Sequence, residues 1–174
     1  MGWLSRLLGY VSKQERSGIS LSHHETWWEV SGFSFPSFLK CLSKLFSDDA
    51  VLYLEGTSVA RDVREFLEVK KIEHPSKVVK GTIWPRPQIF HIRLTPENVS
   101  GLAALAEKHA TLEICDHLHV YRDNTVLLEG YDILDCCVSL SGELSESQVK
   151  AFCAELQCKY EKVTPDGSGR RPTS

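Results

Sequence analysis

Two imidazoles and a thiol stand at alternate positions, Cys115, His117 and His119, with Tyr121 next in the series. Side chains of a strand point alternately to opposite sides, so these four would share one face. Leu112, Ile114, Asp116, Leu118 and Val120 would then share the other. Past Arg122, the pair Asp123-Asn124 tolerates positive φ and predicts a tight turn between strands spanning 112–121 and 125–131. A two-residue turn sets His119 opposite Leu128, His117 opposite Gly130 and Cys115 opposite Asp132. Alternate strand residues are about 6.5–7 Å apart at Cα, from which two imidazoles can reach one ion. The metal expectation is therefore zinc, held by Cys115, His117, His119 and Asp132, with a hydrolytic water if one position stays open. The plainer expectation is that these histidines hydrogen-bond locally on a covered sheet face. A one-residue change in register separates the two.

No other stretch carries a catalytic signature. There is no G-x-S-x-G elbow, no phosphate-cradling glycine loop and no C-x-x-C pair among the six cysteines. Cys153 and Cys158 are five apart, which would place them on different faces of a helix. His23-His24-Glu25 reads as a surface loop, and His91 as a histidine at the edge of the core.

The elements that would position these groups alternate along the chain. Strands are expected over 27–35, 50–54, 77–83, 88–94 and 136–140, besides the hairpin. Helices are expected after Pro36, over 59–69, from the Thr95-Pro96 start to about residue 110, and from the Ser145–Gln148 capping box onward. Strands mixed with helices, one hairpin among them, predict an α+β domain. Its sheet would be mixed or mainly antiparallel, packed with about four helices. Residues 1–25 form an N-terminal amphipathic helix and loop in this reading, 26–162 the domain, and 163–174 a disordered tail. The phrase Leu-Glu-Gly closes two strands, at 54–56 and 128–130, a likeness better explained by recurring strand-end chemistry than by duplication.

The 174 residues are 42% hydrophobic and 25% charged, an ordinary globular composition. The net charge of −3 is unevenly spread. Residues 61–93 carry eight Lys/Arg against four Asp/Glu, and residues 94–162 carry five against twelve. That balance gives no strong nucleic-acid footprint, and the acidic region could steer a basic protein. No run approaches the roughly 20 apolar residues of a membrane span. The start lacks a secretory pattern, and Arg6 stands where a myristoylation site needs Ser or Thr, so a cytoplasmic location with reduced thiols is expected. Four residues are candidate partner contacts: Trp84 and Arg86 in the Trp-Pro-Arg-Pro loop, and Trp3 and Leu7 on the first helix. The preferred expectation is a small non-catalytic protein-binding module of inhibitor or immunity type that needs no cofactor. The rival is a zinc-binding protein or metal-dependent hydrolase.

Overall fold

The computed structural model describes residues 18–22, 25–73, 76–82 and 84–165. The expected first helix, with Trp3 and Leu7, lies outside them, as do His23, His24 and most of the tail. The order is β1 (Trp27–Ser31), α1 (Phe35–Leu45), β2 (Val51–Gly56), α2 (Arg61–Lys70), β3 (Gln88–Arg93) and α3 (Pro96–Ala106). Then follow β4 (His117–Arg122), β5 (Thr125–Gly130), β6 (Cys137–Ser141), α4 (Glu146–Leu156) and β7 (Lys159–Val163). The seven strands form one antiparallel sheet in the order β3-β2-β4-β5-β6-β1-β7. This is the expected α+β class. No helix among the described residues is long and apolar enough to cross a membrane.

The helix starts follow the local chemistry. Proline opens α1 and α3, where a missing N–H costs nothing. The Thr95 side chain accepts from the Asn98 N–H, and Ser145 and Gln148 cap α4 reciprocally. All four helices feed one apolar cluster with one face of the sheet. Phe38, Leu39 and Leu42 of α1, Val63 and Leu67 of α2, Leu102 of α3 and Val149 of α4 meet Val30, Leu52, Leu54, Ile92, Leu118, Val120, Leu128 and Leu140.

Among the described residues no helix packs on the opposite face. It is crossed by a strap made of residues 18–22 and 76–82, joined by a parallel bridge between Ile19 and Val78. Leu21 and Val78 pack there with Trp27, Val51, Tyr53, Tyr121 and Val126. The expected strand over 77–83 is thus one short bridge in a covering segment.

Three further expectations are corrected. The strand expected over 112–121 is shorter at its start, because Thr111–Glu113 form a 3-10 turn that leaves Cys115 outside β4. The hairpin keeps Arg122 opposite Thr125 and Tyr121 opposite Val126, but the register then shifts, leaving Leu127 without a partner on β4. After this bulge Val120 faces Leu128 and His119 faces Glu129, so His119 and Leu128 lie on opposite faces. Gly130 falls opposite Leu118 rather than His117, and a Cβ there would meet Val138 and Ile133. Finally, Cys158 lies beyond α4. Gln157 takes a left-handed conformation (φ 53°), and the Cys158 N–H returns to the Cys153 carbonyl at 3.0 Å. That reversal feeds β7 back along β1, an edge strand absent from the sequence expectation.

Candidate functional site

Three central strands set up the site by alternation. β2 contributes Tyr53 and Glu55, β4 contributes His117, His119 and Tyr121, and β5 contributes Glu129, all on the strap side. Glu55 stands opposite His117, and Tyr53 and Glu129 flank His119. The repeated Leu-Glu-Gly phrase therefore places one buried glutamate on each side of the histidine strand. Glu55 and His119 are 0% exposed, and His117 and Glu129 are nearly so.

The Glu55 carboxylate is caged by donors. Backbone N–H groups of Gly81 (3.1 Å) and Thr82 (2.6 Å) donate to its two oxygens, and the Tyr53 hydroxyl donates as well. A buried carboxylate is tolerable only when its lone pairs are met in this way. The Tyr53 phenol is pushed well above its ordinary pKa by burial and by the carboxylate it serves. On the other side of the cluster, the Leu21 N–H donates to Glu129 at 3.4 Å. Both halves of the strap are thus tied to the glutamates below.

His117 adds a second tie. The Asp132 N–H donates to Nδ1 at 2.9 Å, so Nδ1 carries the lone pair and Nε2 carries the proton. Nε2 then donates to Thr82 Oγ1 at 2.8 Å. The ring lies directly against the strap: a Cβ on Gly81 would come within 2.2 Å of it. Glycine is required at that position by this close approach.

His119 differs. It packs between the rings of Tyr53 (5.3 Å) and Tyr131 (4.9 Å), and neither ring nitrogen has a hydrogen-bond partner among the described residues. Burial lowers its pKa to about 4, against the opposing pull of Glu129. His91 on β3 is likewise pushed down by burial to about 4, and its Nδ1 shares a 2.9 Å hydrogen bond with the Tyr121 hydroxyl. Burial raises the Tyr121 phenol to about 12.

Of the four residues expected to hold zinc, only His117 and Asp132 come together, and Asp132 does so through its backbone N–H. Its carboxylate Oδ1 is 3.8 Å from His117 Nδ1, with the side chain 81% exposed. His119 is a neighbour with its nitrogens enclosed by aromatic rings. Cys115 is buried in the helix-side core, its thiol pKa pushed up by burial. Among the described residues no group of three His, Cys, Asp or Glu side chains is placed to hold a metal ion.

The partner candidates fare differently. Trp84 is 85% exposed, and Arg86 is exposed beside it. Two residues before Trp84, the chain leaves the clamps on Gly81 and Thr82. Sequence reasoning missed Glu55, Gly81, Thr82 and Glu129 as members of the site. The duplicated Leu-Glu-Gly was the one available signal, since it marks two glutamates at equivalent strand ends.

No family model matches the chain, no curated protein matches it, and no solved structure matches its fold.

Proposed function

We propose that the chain is a protein-binding module whose contact centre is the Trp84 loop. The supporting observation is an 85% exposed indole rooted in residues that the buried face of the sheet holds by backbone hydrogen bonds. A large aromatic costs free energy to leave in water. When it is presented from a fixed base, little conformational entropy remains to be lost on docking. Arg86 beside it supplies a planar donor of the kind enriched at interface centres. Arg86 is exposed two residues from the indole. The matching partner is a protein surface with an apolar recess for the indole and a carboxylate within reach of Arg86. No group in this reading performs a chemical step.

The test compares the wild type with Trp84→Ala as baits against extract of the producing organism, followed by affinity measurement with the purified partner. Trp84→Ala should keep the wild-type melting temperature and weaken binding by about tenfold or more, the effect of losing an interface anchor. Binding should also weaken as salt rises. A partner held equally by the wild type and Trp84→Ala would overturn the reading.

A further inference from the structure

The reversal that ends α4 brings two thiols together. On an uninterrupted helix Cys153 and Cys158 would sit on different faces. Here Gln157 turns the chain back, and the Cys158 N–H donates to the Cys153 carbonyl at 3.0 Å. That bond holds the two α-carbons within about 7 Å of each other, the reach of a disulfide. The side chains follow the backbone: the Cys153 S–H donates to Cys158 Sγ. Cys153 belongs to the helix-side core at 2% exposure, and Cys158 packs against that core while keeping part of its surface in solvent. The other buried thiols are placed differently. Cys41 on α1 engages the Glu155 carboxylate, and Cys115 is fully enclosed. Cys137 is the exposed one.

We propose that Cys153 and Cys158 are a redox couple that closes to a disulfide within the existing fold, Cys158 meeting the oxidant and Cys153 resolving it. The oxidant is a hydroperoxide, with hydrogen peroxide as the simplest case. The Cys158 sulfur, as thiolate, attacks one peroxide oxygen: an S–O bond forms, the O–O bond breaks, and the departing hydroxide takes up the thiol proton as water. The Cys153 sulfur then gives up its proton and attacks Cys158 Sγ. The S–S bond forms, the S–O bond breaks, and a second water leaves. Two thiols are oxidised and one peroxide is reduced. Cys158 takes the first step because solvent reaches it and because the hydrogen bond from Cys153 favours its thiolate. Burial holds the Cys153 thiol up at about 12, which suits it to wait for the second step. Burial also raises Cys158, so the couple closes slowly and serves as a staple rather than a rapid sensor. The staple joins the end of α4 to the start of β7, the edge of the sheet opposite β3 and the Trp84 loop. It stands independently of the binding reading.

The experiment is peptide mapping of the full chain after treatment with equimolar hydrogen peroxide and blocking of the remaining thiols with iodoacetamide. Trypsin cuts after Lys150 and Lys159 and leaves both cysteines in one peptide, 151–159. The disulfide therefore reads as that peptide unalkylated and lighter by two hydrogens, and dithiothreitol should reverse it. Cys158→Ser, at a partly exposed position, should cut oxidation of Cys153 by about tenfold or more, since the first step is lost. Cys153→Ser should let a sulfenic acid accumulate at Cys158, where dimedone traps it. Cys137→Ser removes the exposed thiol and should leave closure unchanged. The oxidised protein should melt no lower than the reduced one, because the bridge joins groups already in place. Both cysteines of 151–159 still alkylated after Cys137 has been oxidised would overturn the couple. So would closure lost in Cys137→Ser, Cys153 oxidised equally in Cys158→Ser, or an oxidised protein that melts below the reduced one.

Discussion

Alternate residues of the same strands meet two kinds of surroundings. On β2, Leu52 and Leu54 enter the core under four helices, whereas Tyr53 and Glu55 enter a polar cluster under a strap. On β4, Leu118 and Val120 go one way and His117 and His119 the other. The helix side is held by non-directional apolar burial, in which a similar side chain can replace another at modest cost. The strap side is held by directed bonds to named atoms, where removing one partner leaves the other buried and unmet. The first face makes the domain stable. The second makes one segment, residues 81–82, occupy one place.

The comparison predicts different responses to substitution. The largest effect belongs to the helix side. Phe38 is fully buried and packs on the rings of Phe33 (4.4 Å), Phe35 (6.4 Å) and Phe152 (6.1 Å). Phe38→Ala should cost about 3–5 kcal/mol in denaturant unfolding and lower the stability of the sheet as a whole. A loss below about 1 kcal/mol would break the contrast, because surface positions behave that way.

Next in size is a pH effect from the strap side. His119 and His91 hold pKa values of about 4 in the fold against an ordinary value of about 6.5. Above about pH 6.5 both are neutral whether folded or unfolded, and the stability is fully present. As pH falls from there toward about 4, the unfolded chain takes up protons that the fold refuses, and stability declines. Below about 4 this loss levels off. For His119 the loss amounts to about 3 kcal/mol across that interval. Urea titrations at several pH values should show the decline, and His119→Leu should remove its share. A pH profile unchanged in His119→Leu would contradict the assignment.

At neutral pH the same substitution should have the smallest effect. An imidazole whose two nitrogens find no partner among the described residues gains nothing from being polar, so His119→Leu should stay within about 1 kcal/mol of the wild type at about pH 7.5. A loss of several kcal/mol there would show that His119 takes part in the directed bonding of its neighbours.

The two faces were not equally legible. The helix side could be read from periodicity and caps: Thr95-Pro96 and the Ser145–Gln148 box start helices where expected, and Leu118, Val120 and Leu140 enter the core. β7 escaped because Lys159, Glu161 and Lys162 give an edge strand no apolar alternation. On the strap side, Cys115 left the histidine face because the 3-10 turn at Thr111–Glu113 precedes β4, and no pattern in the residues announces it. The bulge at Leu127 reversed the cross-strand pairing, which a count from the turn could not anticipate. Asp132 does lie beside His117, yet through its backbone N–H and not through the expected register. Glu55 meets Gly81 and Thr82 across 26 and 27 residues of chain, a contact that only the folded path creates.

The strap claim is tested most directly by amide exchange in Glu55→Gln at about pH 7.5, where His117 is left untouched. Glutamine keeps the size of the side chain but turns an N–H₂ toward one of the two strap N–H groups. The expected result is loss of protection at Gly81 and Thr82 by about tenfold or more, with the amides of Leu52 and Val120 in the same sheet unchanged. Strap protection equal to the wild type, or protection lost evenly across the whole sheet, would contradict the account.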